Sequence, residues 1–344
     1  MRARVWIFPA IVAALSLVAM PGANAKDFYK GKTITFVVGF SAGGGFDTYT
    51  RLIARHFGDH VPGHPNTLVD NKTGAGSLIA ANYIYNQAPK DGTVIGNWIG
   101  PLVLQQVLGN KAAHFDGRKF GWLGVPTADS GVCALTKKSG IRTMADWFAS
   151  KRPIKIGGTA PGSTTDDVPL LLKEALGLPM KLVEGYRGTA KIRLAAESGE
   201  IDGGCWAWES IKPTWAKALK SGEVHVVLQS TEESNPELTN IPLAISYAKT
   251  EEAKQLLAIA DGPYSKGARP YSVPPGVPAA RLKMLQKAFL DTLRDPALLA
   301  EAKKAKIDVA PISGPMIAKL MASLYDLKPA LKNKLRKLLI PGNK

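Results

Sequence analysis

The residues best suited to chemistry form a glycine-rich turn at residues 39–45. Three consecutive glycines, residues 43–45, have no side chains that would keep a ligand away from the backbone. A helical pattern begins just after them, so unpaired N–H groups and the positive end of a helix dipole face the turn. This arrangement is typical of an anion-binding site. The alternative is a tight turn that binds nothing. A nucleotide P-loop is excluded because no Gly-Lys-Ser/Thr follows.

Residue types that support catalysis or metal binding do not form a known pattern. The sequence contains no Gly-x-Ser-x-Gly turn, no His-Glu-x-x-His pair and no Cys/His signature of a thiol enzyme. His56, His60 and His64 are spaced like metal ligands on one helical face, but Pro62 and Gly63 interrupt a helix there. We therefore predict no catalytic residue, no metal site and no cofactor, with an exported hydrolase as the alternative function.

The glycine turn follows a strand-like segment at residues 34–38, and the order of strand, glycine turn and helix recurs. A second copy runs through residues 67–85 and a third through residues 154–176. This alternation predicts an α/β protein with largely parallel sheets. In such sheets ligands bind beyond the carboxyl ends of the strands, which is where these turns lie.

The length of the chain predicts two lobes. Without its first 25 residues, the chain still has more residues than a single hydrophobic core usually organises. The strand and helix pattern restarts near residue 125, and residues 263–278 contain five prolines, which we interpret as the return to the first lobe. Leucines at helical spacing fill residues 317–339, where Pro329 should bend or divide the helix. The predicted domains are residues 26–124 with 263–344 (lobe 1) and residues 125–262 (lobe 2).

The first 25 residues have the features of a cleavable export signal. Arg2 and Arg4 precede an apolar run at residues 5–20, and Ala23-Asn24-Ala25 fits a small-x-small cleavage motif. A membrane anchor is the alternative, although the run is short for a span and contains a proline. We predict an exported, soluble protein that begins near Lys26.

The charge and the cysteines limit the function further. The net charge of +16 favours anionic ligands or acidic surfaces. The lysines are scattered and form no basic stripe with aromatic residues, so we expect no nucleic-acid binding. Cys133 and Cys205 are too few for a disulfide scaffold. Nothing in the sequence shows that these two meet, so two buried thiols are favoured over one bridge.

Several motifs in a fixed order resemble the periplasmic solute receptors of tripartite tricarboxylate transporters, the TctC or Bug family. The resemblance extends from about Phe28 to the C-terminus. Each motif is weak alone, but their common order is specific. The motifs are Val-Gly-Phe-Ser-Ala-Gly-Gly-Gly-Phe-Asp (38–47), Asp-Asn-Lys-Thr-Gly-Ala-Gly (70–76), Ala-Pro-Lys-Asp-Gly (88–92), Tyr-Arg-Gly-Thr-Ala (186–190), Gly-Glu-Ile-Asp (199–202) and Pro-Pro-Gly-Val-Pro (274–278).

The resemblance implies a two-lobed clamshell, the type II periplasmic-binding-protein fold, with a carboxylate in the cleft between the lobes. Arg187 is expected to pair either with that carboxylate or with a structural acid such as Asp202. The other implied positions are the first glycine loop, a second glycine loop and a hydroxyl-containing loop of lobe 2. The implied ligand-binding residues are Ser41, Ala42, Gly43, Gly44, Ala75, Gly76, Gly162, Ser163, Thr164, Arg187 and Asp202.

The family also implies a partner and a location. It predicts a monomeric periplasmic receptor that captures a dicarboxylate, tricarboxylate or aromatic carboxylate and delivers it to the membrane permease of a tripartite tricarboxylate transporter. A ligand sensor without transport is the alternative. The sequence departs from the family at Phe40, where proline is usual, and at Asp166 and Asp167, two acids beside the proposed anion site. The identity of the carboxylate stays open, as do the roles of three tryptophans, Trp98, Trp206 and Trp208.

Overall fold

The computed structural model describes residues 28–340 and residue 342. The predicted export signal at residues 1–25 lies outside this part of the chain. The described residues contain two β-sheets. Their strands are β1 (Thr33–Val38), β2 (Asn66–Asn71), β3 (Val94–Asn97), β4 (Gly121–Val125), β5 (Gly131–Thr136), β6 (Ile154–Gly157), β7 (Met180–Val183), β8 (Gly203–Ala207), β9 (Val224–Gln229), β10 (Tyr271–Val273) and β11 (Ile312–Ser313).

The first sheet has the strand order β11-β4-β10-β3-β1-β2. Strand β1 is parallel to β2 and β3, with Phe36 opposite Val69 and Ile95. Strand β10 is antiparallel to both of its neighbours, β3 and β4, and β11 is antiparallel to β4. The sheet is therefore mixed, and the predicted parallel arrangement holds only for β1 to β4.

The second sheet has the order β7-β6-β8-β5-β9. Strand β6 is parallel to β7 and β8, and β5 is antiparallel to β8 and β9. In each sheet, one inner strand is antiparallel to both of its neighbours, and the chain enters the sheet through this strand. In the second sheet it is β5, which follows β4. In the first sheet it is β10, which follows the last helix on the second sheet. The two sheets thus repeat one plan.

Helices connect the strands and cover the sheets. The first follows the glycine turn, as predicted. The helices are α1 (Gly45–Phe57), α2 (Leu78–Asn86), α3 (Leu102–Val107), α4 (Met144–Phe148), α5 (Thr164–Leu176), α6 (Thr189–Ser198), α7 (Trp208–Thr214), α8 (Ala216–Ser221), α9 (Glu251–Ser265), α10 (Ala279–Thr292), α11 (Pro296–Ala305), α12 (Gly314–Ser323) and α13 (Pro329–Leu339).

Prolines affect two helical segments differently. Pro329 divides the C-terminal helical pattern, as predicted, and occupies the first position of α13, where its missing N–H costs nothing. Pro263 was expected in an irregular crossing, but α9 continues through it to Ser265. Leu256 and Leu257 of α9 are buried, and this packing outweighs the helix penalty of one proline.

Strands β4, β10 and β11 were not predicted, and β10 lies in the proline-containing segment that was expected to be irregular. Strand β4 reads Gly-Trp-Leu-Gly-Val, and its two glycines lower its strand propensity. Gly124 is required there: its φ is +143°, and a Cβ would lie 2.5 Å from the carbonyl oxygen of Ile312 in β11. The pairing of these two strands, nearly 190 residues apart, exists only in the folded chain.

The hydrophobic core is partly shared between the sheets. One cluster lies on the first sheet and includes Phe36 and Phe289. A larger cluster joins α3 of the first half of the chain to α5, α9 and α13, and includes Leu104, Leu172 and Leu335. The C-terminal helix therefore packs against elements of both halves of the chain.

Cys133 and Cys205 form a disulfide, so the expectation of two buried thiols is wrong. They lie directly opposite each other on the neighbouring antiparallel strands β5 and β8. The bridge closes a sequence separation of 72 residues at the centre of the second sheet. Only the pairing of the two strands brings the sulfurs together, which is why their spacing gave no signal.

Among the described residues, no helix combines the length and the hydrophobicity that a membrane span requires. The same residues contain no group of three or more His, Cys, Asp or Glu side chains placed to hold a metal ion. His56 and His60 contact carboxylates instead: Glu301 at 2.9 Å and Asp295 at 2.8 Å.

Candidate ligand-binding site

A small cavity of about 30 Å³ lies between the two sheets. The first sheet contributes residues that follow β1 and β3, and the second contributes residues that follow β6 and end β8. Two charged residues come from the segments that cross between the sheets. The lining residues are Phe40, Gly44, Gly45, Phe46, Ile99, Asp129, Thr159, Ser163, Thr164, Thr165, Thr189, Trp206, Ala207, Ser210 and Arg269.

Three helices of ten or more residues begin at the cavity wall. Helix α1 starts at Gly45, α5 at Thr164 and α6 at Thr189, and all three of these residues line the cavity. The first N–H groups of a helix have no partner within it, and the dipole adds about half a positive charge at that end. The cavity is therefore suited to an anion.

Most of the backbone amides of the first glycine turn already have hydrogen-bond partners. The Gly43 amide donates to the carboxylate of Asp47 at 2.8 Å, and the Gly44 amide donates to the carbonyl of Ser41 at 3.3 Å. The Ser41 amide donates to the carbonyl of Arg187, across the cleft, at 3.0 Å. Three of the four amides expected to grip a carboxylate are thus already bonded.

Of the four residues predicted in this turn, Gly44 lines the cavity, whereas Ser41, Ala42 and Gly43 do not. The first N–H groups of α1, beginning at Gly45, have no partner within the helix, and Gly45 and Phe46 line the cavity. The candidate anion-binding backbone therefore lies one or two residues later than the sequence suggested, because the turn folds back on itself before the helix starts.

Asp47, in the first turn of α1, is bound to its own turn. Its carboxylate accepts hydrogen bonds from the Gly43 amide, from Arg51 and from Asn71. Burial alone would raise the pKa of Asp47, but these donors outweigh it and lower the pKa. Asp47 therefore stays ionised and partly cancels the positive end of the α1 dipole.

Asp166 is enclosed by the turn after β6. Its Oδ2 accepts hydrogen bonds from the Thr159 amide at 2.6 Å, the Ala160 amide at 3.1 Å and the Ser163 hydroxyl at 2.6 Å. Its side chain is fully buried and does not line the cavity. Asp166, one of the two acids beside the proposed anion site, therefore points into its own loop.

Asp167 is also fully buried. It accepts from the Gly162 amide at 3.0 Å, from the Tyr264 hydroxyl at 2.6 Å and from Gln105 at 3.3 Å. Burial raises the pKa of Asp167 to about 7 in spite of these donors. Because Gln105 belongs to α3 and Tyr264 to α9, Asp167 ties the loop to both halves of the chain.

Arg269 is the main charged residue of the cavity, and the sequence reasoning missed it. It lies in the second crossing segment, 1% exposed, beside the buried Asp129, to which its Nε donates. Its Nη2 donates to Ser210 at 3.1 Å, and its guanidinium lies 4.6 Å from the ring centre of Tyr49. The available signal was an arginine inside the apolar stretch Ala-Arg-Pro-Tyr, where a solvated charge is not expected.

Three lining residues carry buried polar atoms that have no hydrogen-bond partner among the described residues. These atoms are Nη1 of Arg269, Oγ1 of Thr164 and Nε1 of Trp206. Buried polar groups in folded proteins are nearly always paired, and an unpaired one costs about 1–3 kcal/mol. All three atoms can donate a hydrogen bond, so together they suit an acceptor such as a carboxylate.

The charge of Arg269 is balanced by acids around it. Burial raises the pKa of Asp129, which is paired with Arg269. Glu209, at the start of α7, accepts from the Ser130 amide at 2.7 Å. Burial and the nearby Asp129 raise the pKa of Glu209 to about 7. The cavity therefore has one strong cation, which is paired with the lining acid Asp129 and has Glu209 nearby.

The second glycine loop faces the second sheet across the cleft. Ala75, Gly76 and Ser77 all have positive φ angles, of 46°, 58° and 72°. A Cβ on Gly76 would lie 3.2 Å from the carbonyl oxygen of Ala160, so this glycine allows the two loops to approach. Ala75 and Gly76 do not line the cavity.

Gly162 also packs across the cleft and outside the cavity. A Cβ at this position would lie 2.7 Å from Cγ of Gln105 and 2.8 Å from Cδ2 of Leu102, both on α3. Of the three residues predicted in this loop, Ser163 and Thr164 reach the cavity and Gly162 forms a contact between the halves of the chain.

Asp202 does not line the cavity, and its contacts are those of an internal hydrogen-bond anchor. Both of its oxygens accept from Arg152, at 2.7 and 2.8 Å, and one also accepts from the Lys155 amide. Burial would raise the pKa of Asp202, but these donors lower it. Asp202 anchors the second sheet. Arg187 does not pair with it: its side chain is exposed and lies outside the cavity.

The three tryptophans have different positions. Trp206 lines the cavity, and its ring stacks on Trp215 with centres 5.6 Å apart. Trp98 is fully buried in an aromatic cluster of the first sheet and donates to Ser272 at 3.0 Å. Trp208 donates to Glu237 at 2.7 Å and also lies outside the cavity.

Direct contacts across the cleft surround the cavity. Besides the Ser41 to Arg187 bond, Arg193 of α6 donates to the carbonyl of Gly43 at 3.0 Å. Lys212 of α7 binds the carboxylate of Asp308 at 2.6 Å. These contacts join the two sides of the cleft.

Two curated relatives match the chain in sequence. One is a UPF0065 protein in the gbd 5' region of Cupriavidus necator, 26% identical over 68% of this chain and 69% of that protein. The other is a UPF0065 protein in the TAR-I ttuE-ttuC' intergenic region of Agrobacterium vitis, also 26% identical, over 64% of this chain and 62% of that protein. No protein-family model matches the chain.

Solved structures match over nearly their full length. The periplasmic binding protein BugD has a TM-score of 0.73 at 19% identity, covering 89% of this chain and 98% of BugD. The chain has the fold of the Bug and TctC periplasmic binding proteins. Rpa4515 of R. palustris with adipate scores 0.71 at 20% identity, covering 90% of this chain and 98% of that one. MatC from Rhodopseudomonas palustris with bound malate scores 0.69 at 18% identity, covering 89% and 99%.

The predicted resemblance to the TctC and Bug receptors is confirmed. The predicted α/β periplasmic-binding-protein fold is confirmed by the two sheets and by these neighbours. The residues that line the cavity are those of this chain's own structure, and the sequence predicted only some of them.

Proposed function

We propose that the protein is a periplasmic solute-binding receptor that captures a small organic carboxylate and delivers it to the membrane permease of a tripartite tricarboxylate transporter. The observation that carries this proposal is the set of unpartnered donors at Arg269, Thr164 and Trp206, in a cavity where three helices begin. Donors of this kind and positive helix ends stabilise a carboxylate by charge-assisted hydrogen bonds.

The structural neighbours support the ligand class. Two of them are described with a bound dicarboxylate, adipate in one and malate in the other. Their identity to this chain is at most 20%, so they support a carboxylate without naming it. We carry over the class and leave the individual compound to experiment.

The proposed mechanism is closure around the ligand without chemical conversion. We propose that the two sheets are the cores of two lobes with the boundaries predicted above, and that the contacts across the cleft form when the lobes close. The receptor acts as a monomer in this proposal. Of the residues predicted from the sequence, we retain Gly44, Ser163 and Thr164 as ligand-binding and add Arg269.

The test is binding of a panel of mono-, di- and tricarboxylates, measured by thermal shift and calorimetry. A ligand at 100 times its Kd should raise the free energy of unfolding by about 2.7 kcal/mol. Thr164→Val removes the unpartnered hydroxyl with little change of shape and should weaken binding about tenfold or more. The matched control is Thr136→Val, because Thr136 also has a buried, unpartnered Oγ1 but does not line the cavity.

Two outcomes would contradict the proposal. One is the absence of any shift with all carboxylates, combined with turnover of an ester or peptide, which would favour the alternative of an exported enzyme. The other is an equal loss of affinity in the two threonine variants, which would place the carboxylate outside this cavity. Export is tested separately: N-terminal sequencing of the secreted protein should begin at Lys26, and a full-length form retained in the membrane would contradict it.

A further inference from the structure

We infer that the cavity selects a carboxylate with one negative charge and an apolar body, in preference to a dicarboxylate or tricarboxylate. This inference rests on the proposed function and narrows its substrate class. It uses two properties of the cavity that belong to this chain: the aromatic side chains in its wall and the small number of positive charges that face it.

Aromatic and aliphatic side chains form much of the wall. On the first-sheet side, the rings of Phe40 and Phe46 lie 4.6 Å apart. On the second-sheet side is the ring of Trp206, held in place by its stack on Trp215. Ile99 adds an aliphatic surface. A ligand between these groups has its body against carbon, where polar substituents would lose their contacts with water.

The charges in the wall suit a single carboxylate. Arg269 is the one cation among the lining residues, and Asp129, the one lining acid, is paired with it. The other polar lining groups are hydroxyls, backbone amides and the indole N–H. One carboxylate can take Nη1 of Arg269 and the hydroxyl of Thr164 as donors. A second carboxylate in the same cavity would have no cation of the cavity wall as a partner, and burying an unpaired charge is strongly unfavourable.

The helix ends do not replace the missing cation. Helix α1 carries Asp47 in its first turn, and α5 carries Asp166 and Asp167, so these acids offset both dipoles. Only α6 begins without an acid in its first turn. A further cation, Arg193, lies on α6 outside the cavity wall. Its Nη2 donates to the carbonyl of Gly43, and its Nη1 is buried without a partner among the described residues.

The decisive experiment compares ligands that differ by one carboxylate. Calorimetry of the full exported protein would measure hexanoate against adipate, and butyrate against succinate, so that chain length is constant within each pair. Phenylacetate tests the aromatic wall, and hexanamide tests the charge. We expect hexanoate and phenylacetate to bind at least tenfold more tightly than adipate, and hexanoate to bind at least tenfold more tightly than hexanamide.

A pair of variants tests the wall itself. Trp206→Phe shortens the ring and removes the unpartnered indole N–H, so phenylacetate should bind several-fold more weakly. The matched control is Trp147→Phe, since Trp147 is equally buried, also has an unpartnered Nε1 and lies outside the cavity. This control should bind phenylacetate like the wild type. Equal losses in both variants would overturn the role of the tryptophan wall, and circular dichroism would check that each is folded.

The outcomes separate the inference from the function on which it rests. Adipate binding as tightly as hexanoate or more tightly overturns the inference and leaves the carboxylate receptor intact. If hexanamide binds as well as hexanoate, the apolar body is supported and the carboxylate function is overturned. If no acid in either pair binds, both are overturned.

Discussion

The turn at residues 41–44 of the first sheet and the turn at residues 158–163 of the second occupy equivalent places but hold their acids in different charge states. Asp47 is kept ionised by Arg51, by an amide and by Asn71, and its pKa is lowered. Asp167 has no cation beside it, is fully buried, and its pKa is raised to about 7. The same motif therefore lowers the pKa of an acid in one sheet and raises the pKa of an acid in the other.

The second sheet also contains a disulfide, whereas the first contains none. The Cys133–Cys205 disulfide joins the central strand β8 of the second sheet to its neighbour β5. We therefore expect the second sheet to form a rigid wall of the cavity and the first glycine turn to form a wall that adapts more easily. Four experiments test this contrast.

The largest expected effect comes from removing the disulfide. For a closed loop of 72 residues, loss of the cross-link should lower the free energy of unfolding by about 4 kcal/mol. The double variant Cys133→Ala/Cys205→Ala, studied by urea unfolding, measures this loss. Hydrogen exchange should increase in the second sheet and change little in the first. Unchanged stability relative to the oxidised wild type would show that the bridge does not support the second sheet.

The second experiment uses pH to separate the two acids. The folded pKa of Asp167 is raised from its ordinary 3.8 to about 7, so its contribution to stability is complete below about pH 4 and is lost as the pH rises towards 7. The pKa of Asp47 is lowered, so its contribution is present above pH 4 and is lost as the pH falls through the folded pKa.

These opposite signs predict that Asp167→Asn and Asp47→Asn reduce the pH dependence of the unfolding free energy in two different pH ranges. The unfolding free energy of Asp167→Asn should vary less than that of the wild type between pH 4 and 7, by a few kcal/mol as an order of magnitude. That of Asp47→Asn should vary less below pH 4. Urea unfolding at a series of pH values measures both. Parallel curves for the wild type and either variant would mean that its acid does not titrate as described.

The third experiment compares a glycine from each turn. Gly43 has a φ of +76° with open space at the Cβ position, so Gly43→Ala should cost about 1–2 kcal/mol of stability for the left-handed backbone alone. Gly162 has a φ of +92°, and a Cβ would collide with Gln105 and Leu102, so Gly162→Ala should cost more. Equal losses in urea unfolding would mean that the second turn adapts as easily as the first.

The smallest effect is expected at Ser41. Its hydroxyl is buried without a partner among the described residues and does not line the cavity. Ser41→Ala should therefore change stability by less than about 0.5 kcal/mol and leave ligand affinity unchanged. Calorimetry with the tightest carboxylate of the panel checks this. A clear loss of affinity would return the anion site to the residues before Gly44.

The sequence was sufficient to predict the local units. Strands rich in β-branched residues and glycine turns followed by amphipathic helices are signals carried by a few neighbouring residues, and these elements lie close to where they were expected. The capping of α4 is one example: Thr143 accepts from the Asp146 amide, and Asp146 accepts from the Thr143 amide. The order of the glycine motifs was also enough to predict the periplasmic-binding-protein fold.

The folded chain decided the rest, because those features depend on residues far apart in sequence. The pairing of β5 with β8 makes a disulfide from two cysteines that looked independent. The crossing segments place Arg269 beside Asp129, 140 residues away, and so supply the cation of the cavity from a stretch that looked like a linker. A local pattern can show that a turn exposes amides, but only tertiary contacts decide which of those amides remain free.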